Sequence, residues 1–265
     1  MKRVLLLLAV IFAAGLIPSA PARSADMDVQ TIVEKANVTA YYQGDDGLSD
    51  ARMTITDSQG RERIREFRIM RLDISDGGKQ KYYVYFRKPP DVAEMVYMVW
   101  KQLGQDDDRW LYLPGLDLVR RIAASDKRSS FVGSHFVYED VSGRSLDLDT
   151  HTLESETDSR YVIKNVPKDK ANVEFAHYLV SIDKETFLPM KAEYFDESGE
   201  KYREMEVLEM DTIDGYPTAT KSVIRNLADG GRTVMDFSNI KYDVGLDESI
   251  FSERYLRRPP TQWIR

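Results

Sequence analysis

Three consecutive segments of this chain predict strands that are apolar on both faces. In a strand, successive side chains point to opposite faces of the sheet, so a strand with one solvated face alternates apolar with polar residues. Residues 190–195 (MKAEYF) follow that alternation. The alternation is absent from residues 82–86 (YYVYF), 95–100 (MVYMVW) and 110–114 (WLYLP). These three strands therefore require cover on both faces, which a single sheet facing water does not supply.

Two arrangements can cover the second face, and the sequence leaves both open. A second packed layer would bury these side chains as ordinary core. Alternatively, one face packs structurally and the other lines an apolar cavity, because one helix covers only about 10 Å of a wide concave sheet. Methionine suits such a wall since its flexible thioether adapts to ligands of different shape. The cavity hypothesis selects eight wall residues without deciding which strand face lines the cavity: Tyr83, Tyr85, Met95, Tyr97, Trp100, Trp110, Tyr112 and Leu113.

Strand patterns joined by polar turns occupy most of the chain. Turn signals at residues 57–60, 77–78 and 229–231 separate roughly ten such patterns, with no alternation of strand and helix. This organisation predicts a mainly β protein with a minor helical part. Its core is one antiparallel sheet of about 10–11 strands, strongly curved or nearly closed. No internal repeat or linker interrupts residues 23–265, which predicts a single domain.

One helix and one long loop are the segments available to lie on the concave face. Residues 28–42 predict a helix that Asp28 caps and whose apolar stripe includes Val29, Ile32 and Val33. Residues 123–140 lose the strand pattern and form a loop too long for a simple hairpin. This loop holds aromatic side chains that should insert into the protein. The lid residues predicted from both segments are Val29, Ile32, Val33, Phe131, Phe136 and Tyr138.

The N-terminus predicts export from the cytoplasm. Lys2 and Arg3 precede an apolar run over residues 4–17, and Ala20-Pro21-Ala22 matches a signal peptidase site, with a second position after residue 25. Loss of Lys2 and Arg3 takes the net charge from −7 to −9, which disfavours binding to nucleic acid. With no cysteine, the chain has neither disulfides nor a lipidation site. We expect a signal peptide over residues 1–22 and a periplasmic, non-lipidated mature protein.

Recognised catalytic and cofactor motifs are absent from the sequence. There is no G-x-S-x-G motif, no cysteine nucleophile, no dinucleotide or phosphate-loop fingerprint and no zinc-type histidine spacing. Asp147, Asp149 and His151 would share one strand face, but a polar outer face explains them better than a cation site. We therefore expect no enzymatic activity, no cofactor and no metal. Arg120 and Arg121 adjoin an apolar strand and are candidates for contact with an anionic head group or an acidic partner.

The stretch from residue 107 to residue 141 resembles the LolA-like family of outer-membrane lipoprotein-sorting proteins. It resembles in particular the branch with a W-x-Y-L-P strand, an R-R-I sequence and a G-S-x-F-x-Y-E-D segment. In this chain these are residues 110–114, residues 120–122 and residues 133–140. After Pro89-Pro90 the chain lacks the glycine that usually precedes the next strand in this family. Weaker similarity extends over most of the mature chain.

The resemblance implies a half-open antiparallel barrel whose concave side is plugged by helices. It implies a periplasmic carrier that holds the acyl chains of a lipoprotein or lipid and moves them toward the outer membrane. It also implies an inner-membrane exporter and an outer-membrane acceptor as partners, and we expect the carrier to act as a monomer. The alternative is an accessory or docking protein of a resistance-nodulation-division type exporter. A periplasmic hydrolase is a weaker third hypothesis, because no nucleophile is recognisable.

Overall fold

A computed structural model describes residues 27–75 and 77–264 of the chain. The predicted signal peptide, residues 1–22, and both candidate cleavage positions lie outside the described residues. None of the described helices combines the length and the hydropathy needed to cross a membrane.

Thirteen antiparallel strands form one open sheet. The strands run in the order β6-β5-β4-β3-β2-β1-β13-β12-β11-β10-β9-β8-β7, so that β6 and β7 are its two edges. Strands that follow one another in sequence are paired, except β6 and β7, and the first and last strands, β1 and β13, pair with each other. Their bounds are β1 Asp46–Thr56, β2 Glu62–Asp73, β3 Gln80–Lys88, β4 Val96–Lys101, β5 Asp108–Leu113, β6 Leu118–Ile122, β7 Asp149–Glu156, β8 Arg160–Pro167, β9 His177–Asp183, β10 Pro189–Phe195, β11 Lys201–Ile213, β12 Tyr216–Asn226 and β13 Arg232–Tyr242.

The predicted fold class is confirmed, and the strand count is higher than expected. The sheet is antiparallel, curved and open, with few helices, as the resemblance implied. Three of the thirteen strands, β6, β7 and β8, were not predicted because they carry little apolar alternation. Two of them are edge strands, and natural edges are kept short and charged to avoid pairing with other chains. The polar sequence that marks them as edges also obscures them as strands.

The first helix, α1 (Val29–Tyr41), matches the predicted span. The Asp28 carboxylate accepts a hydrogen bond from the Thr31 backbone N–H at 3.0 Å, which satisfies one of the free donors of the first turn. Its apolar stripe, with Ile32 and Val33 buried, packs on the concave face against Ile163 of β8 and Ile182 of β9. The remaining helices are short: α2 (Tyr138–Ser142), α3 (Arg254–Arg257) and α4 (Thr261–Ile264).

Both faces of β3, β4 and β5 are covered. On the concave face, Tyr82, Tyr97 and Leu111 belong to a buried cluster that we call the concave cluster. On the convex face, Tyr83 and Trp110 belong to a separate buried cluster, the convex cluster. The covering side chains of the convex cluster come from the end of the chain: Val244, Leu246, Ile250, Phe251, Tyr255, Leu256, Trp263 and Ile264.

The C-terminal segment, residues 244–264, is fastened to the convex face by hydrogen bonds as well as by apolar contact. The Tyr83 hydroxyl donates to the Tyr255 carbonyl at 2.6 Å, and the Trp100 indole N–H donates to the Phe251 carbonyl at 2.7 Å. The Arg87 guanidinium donates to the Ile264 carbonyl at 2.9 Å. Polar tips of the large side chains of the sheet thus satisfy backbone carbonyls of the segment that buries their rings.

We predict that Phe251→Ala lowers the free energy of unfolding by about 3–5 kcal/mol, because it removes a fully buried ring from the convex cluster. Urea denaturation followed by circular dichroism measures the change. The control is Leu116→Ala, whose side chain is 73% exposed and whose effect should stay within about 0.5 kcal/mol. Equal effects of the two substitutions would contradict the structural role of the C-terminal segment.

Candidate functional site

The concave face holds an apolar cavity of about 370 Å³. It lies between the C-terminal end of α1, the segment around α2, and the middle strands of the sheet. Met190 and Ala192 of β10, Met205 and Val207 of β11 and Met235 of β13 form much of its wall. Polar and charged side chains also reach its boundary, among them Gln43, Arg71, Asp140, Lys191 and Lys241, but most of its surface is apolar. The size and the lining are those of a site for an apolar ligand.

A lid, residues 123–148, closes one side of this cavity. Its centre is Phe131, which is 2% exposed and points into the concave cluster. The ring centroid of Phe131 lies 6.4 Å from that of Phe67, 6.0 Å from that of Phe86 and 5.3 Å from that of Tyr97. Edge-to-face and tilted aromatic pairs at these distances are favourable. The lid therefore provides the second cover of β2, β3 and β4, and Phe131 and Phe136 also line the cavity.

Buried ion pairs fix α2 in place: one joins the lid to β11, and two others lie within the lid itself. Asp140, in the first turn of α2, accepts hydrogen bonds from the Val137 backbone N–H and from the Arg203 guanidinium of β11. Glu139 is 3% exposed and lies 3.1 Å from Arg128 and 3.4 Å from Arg144. A buried charge that lost its partner would be strongly destabilising, so these pairs specify the lid position.

Lys101 ties the end of α2 to α1. Its ammonium donates to the Ser142 carbonyl at 2.6 Å and lies 5.3 Å from the centroid of the Tyr41 ring. Gly143, with φ of +74°, follows directly, and a Cβ at this residue would lie 2.6 Å from Tyr41 Cζ. Burial lowers the pKa of Lys101 to about 8, although the nearby Asp107 carboxylate acts in the opposite direction.

The tip of the lid reaches β2 and β13 through polar contacts. The Arg63 guanidinium donates to the Gly133 carbonyl at 3.2 Å. The His135 backbone N–H donates to the Thr233 hydroxyl at 3.1 Å, and the His135 ring Nδ1 lies 2.8 Å from the same oxygen. Burial lowers the pKa of His135. The lid is thus attached to the sheet both at its tip and at α2.

The structure corrects the predicted wall residues. Five of the eight lie on the convex face, where the C-terminal segment covers them, and they do not reach the cavity. The prediction failed because nothing in the sequence of residues 244–264, although it is apolar at intervals, indicated that this segment covers the convex face. The five are Tyr83, Tyr85, Trp100, Trp110 and Tyr112.

The other three predicted wall residues lie on the concave side, beneath the lid. Met95, Tyr97 and Leu113 pack in or against the concave cluster with Phe131, and none of them lines the cavity. The actual wall comes mostly from the second half of the chain. The sequence did indicate these wall strands, because apolar and charged side chains alternate along them, as in residues 190–195 and residues 203–207. Such a strand has one apolar face. Those strands need only one cover, and the structure leaves that cover incomplete.

The predicted lid residues all lie on the concave side. Val29, Ile32 and Val33 pack against β8 and β9 rather than beside the cavity, whose boundary α1 reaches with Thr39, Ala40 and Tyr41. Phe131 and Phe136 line the cavity, and Tyr138 belongs to the concave cluster. Mobility of either segment stays a prediction.

Arg120 and Arg121 lie on the edge strand β6, away from the cavity. Arg120 approaches Asp126 at 3.7 Å, and the Arg121 guanidinium pairs with Asp108 and lies 5.6 Å from the Trp110 ring centroid. Neither side chain lines the cavity, so a head-group role inside it does not fit their position. Contact with a partner stays a prediction.

The side chains of Asp149 and His151 serve the fold. Asp149 accepts hydrogen bonds from Arg144 and from the Tyr178 hydroxyl, and the His151 ring contacts the Asn165 side chain and the Leu146 carbonyl. Across residues 27–75 and 77–264, no group of three or more His, Asp or Glu side chains is arranged to hold a metal ion.

We predict a pH-dependent stability that depends on Lys101. A lysine whose pKa is lower in the folded protein than the unfolded value of about 10.4 binds fewer protons when folded. The free energy of unfolding should therefore rise from about pH 8 upward, by at most ~1.4 kcal/mol per pH unit. Buried tyrosines, whose pKa is raised, act in the opposite direction only above about pH 10.

Urea denaturation between about pH 7.5 and 9.5 measures this slope in the wild type and in Lys101→Met. The variant should lack the Lys101 contribution, so its stability should rise less steeply with pH. Identical slopes in the two proteins would contradict the assignment.

Comparison with known proteins identifies the family. Residues 78–258 match the sequence model of a protein family whose members are described as uncharacterised. No curated protein matches the chain at a significant level. Among solved structures, a DUF1329 family protein from Desulfovibrio piger ATCC 29098 is 30% identical, with a TM-score of 0.77 over 86% of this chain and 96% of that chain.

Two further structures share the fold. A candidate outer-membrane lipoprotein-sorting protein domain from Vibrio parahaemolyticus is 26% identical, with a TM-score of 0.78 over 87% of this chain and 98% of that one. A LolA superfamily protein from Nitrosomonas europaea is 20% identical, with a TM-score of 0.67 over 86% of this chain and 99% of that one. The family match and the identity to the first structure establish that this chain belongs to the DUF1329 family, and the shared open sheet gives it the fold of LolA-like proteins.

Proposed function

We propose that this protein is a periplasmic carrier that binds the acyl chains of a lipoprotein or lipid and moves them toward the outer membrane. The observation that carries the proposal is the apolar cavity between the lid and the middle strands. A structural relative is itself described as a lipoprotein-sorting domain, which agrees with such a role. Binding, rather than catalysis, is the activity proposed, and no cofactor is needed for it.

The hydrophobic effect supplies enough free energy for such binding. Each methylene transferred from water to an apolar site contributes about 0.8 kcal/mol. A chain segment of about ten methylenes would thus gain roughly 8 kcal/mol, less the cost of ordering the chain. The wall suits a variable hydrocarbon, because Met190, Met205 and Met235 are flexible and polarisable.

Release of the ligand requires that the lid move. The attachments described above at Arg203, Lys101 and Thr233 are polar, and water can replace each of them when the lid lifts. The aromatic contacts of Phe131 favour the closed position, so a loaded ligand that displaces this ring would favour the open one. We infer that the lid and the acyl chain compete for the same concave surface.

The proposed partners follow from this role. The client is an acylated lipoprotein or a lipid, delivered by an inner-membrane exporter and received by an outer-membrane acceptor, and the carrier acts as a monomer. Function as an accessory of a resistance-nodulation-division type exporter is the alternative. In that case the purified protein would bind the exporter whether or not its cavity held lipid.

A direct test uses the purified mature protein. Extraction with organic solvent followed by mass spectrometry should recover a bound lipid, and a fluorescent acyl probe should bind and be displaced by long-chain ligands. Recovery of no lipid, together with no probe binding, would refute the carrier.

We predict that Val207→Trp weakens probe binding by about tenfold or more, because the larger ring would occupy the cavity from its β11 wall. The matched control is Leu208→Trp on the next residue of the same strand, where the side chain is 43% exposed. This control should bind the probe as the wild type does. Equal binding by both variants would place the ligand elsewhere.

A further inference from the structure

We propose that Arg203 binds the head group of the ligand, and that the ligand is therefore an acidic lipid with a carboxylate or phosphate head. This inference rests on the proposed carrier function and specifies its ligand. Nothing in the cavity wall itself requires a charged head, since most of the wall is apolar. The argument comes from the layer immediately behind one end of the cavity.

Arg203 lies on β11, two residues before the wall residue Met205. Side chains two residues apart on a strand share a face, so Arg203 points to the same side as Met205, which lines the cavity. Its cross-strand neighbour is Tyr194, and the guanidinium lies 4.8 Å from the centroid of that ring. Arg203 is 6% exposed. A full positive charge is thus buried next to the apolar cavity, adjoining Asp140, which lines it.

The hydrogen-bonding capacity of this guanidinium is only partly used. Its Nη2 donates to Asp140, whereas Nε and Nη1 have no hydrogen-bond partner among the described residues. A guanidinium carries five N–H donors in a planar fork that matches a carboxylate or a phosphate. Buried donors without partners are costly, and an acidic head placed here would relieve that cost.

Asp140 occupies the position that the head would take. It belongs to the lid, it lines the cavity, and it is the carboxylate that pairs with Arg203. When the lid lifts, Asp140 leaves with α2, and the guanidinium is left facing the cavity without its anion. An acidic head then replaces one carboxylate with another, and the lid is held open because Asp140 cannot return.

A second group at the same end of the cavity is suited to a hydrogen bond. Tyr41 lines the cavity beside Asp140, and burial together with the Asp140 charge raises the pKa of its phenol well above the usual value. The phenol is therefore protonated at neutral pH and available as a donor. Arg128 does not compete for the head, since Glu174 and Glu139 already pair with it.

The first experiment compares acidic and neutral ligands that share one tail. Binding of cis-parinaric acid and of its methyl ester to the wild-type protein is measured by fluorescence. Hexadecyl phosphate and hexadecanol are then compared as displacers, with inorganic phosphate and acetate as ligands without a tail. We expect each acidic lipid to bind about tenfold more tightly than its neutral counterpart, and the small anions not to compete.

The second experiment assigns the preference to Arg203. Arg203→Gln should reduce the acid-to-ester ratio to about one, Arg203→Lys should retain part of it, and Asp140→Asn should raise acid affinity by removing the competing carboxylate. Arg225→Gln is the matched control, because Arg225 pairs with Glu204 and Glu206 on the opposite face of the sheet. It should leave the ratio unchanged.

The outcomes separate this inference from the carrier proposal. Equal binding of the acid and the ester by the wild type would overturn the head-group assignment and leave the carrier intact. Persistence of the preference in a folded Arg203→Gln protein would overturn it too, as would displacement by inorganic phosphate at the concentration of hexadecyl phosphate. Binding of neither probe would overturn the carrier proposal and this inference with it. The wild-type comparison decides the matter even where a variant fails to fold.

Discussion

The burial of β3, β4 and β5 on both faces is the constraint on which the rest of the structure depends. These strands carry large apolar side chains in unbroken runs, and one sheet cannot shield both sides from water. The C-terminal segment covers the convex side and the lid covers the concave side. Both covers come from parts of the chain with little regular structure, held by aromatic rings and by hydrogen bonds from the sheet.

The two covers differ in how they are attached, and the difference bears on function. On the convex side, Tyr83, Trp100 and Arg87 donate to backbone carbonyls of a segment whose apolar side chains are deeply buried. On the concave side, the lid contributes Phe131 to the core, while ion pairs and single hydrogen bonds fix its ends. Polar attachments can be released when their groups find other partners, so the lid, whose ends are fixed by such attachments, is the cover suited to move.

The sequence predicted the fold class, the first helix and the need for two covers, because these depend on local periodicity. It misplaced the cavity wall, because the periodicity of apolar residues does not tell which face of a strand points to the concave side of the sheet. Trp110 and Leu111 are equally apolar, yet one packs under the C-terminal segment and the other under the lid. The pairing of Arg203 with Asp140 was equally inaccessible, since it joins residues 63 positions apart through the lid. Such contacts are set by tertiary packing and leave no trace in spacing.

The cavity itself follows from an imbalance between the two halves of the sheet. In the second half, the convex face is charged: Lys201 pairs with Glu193 and Glu204, and Arg225 pairs with Glu204. Only the concave face of these strands is apolar, so they need one cover. Two elements supply that cover. Helix α1 packs on β8 and β9, and the buried aromatic side chains of the lid pack on β2, β3 and β4. The concave face of β10, β11 and β13 lies between the two, and its apolar side chains border the cavity because neither element fills the space over them.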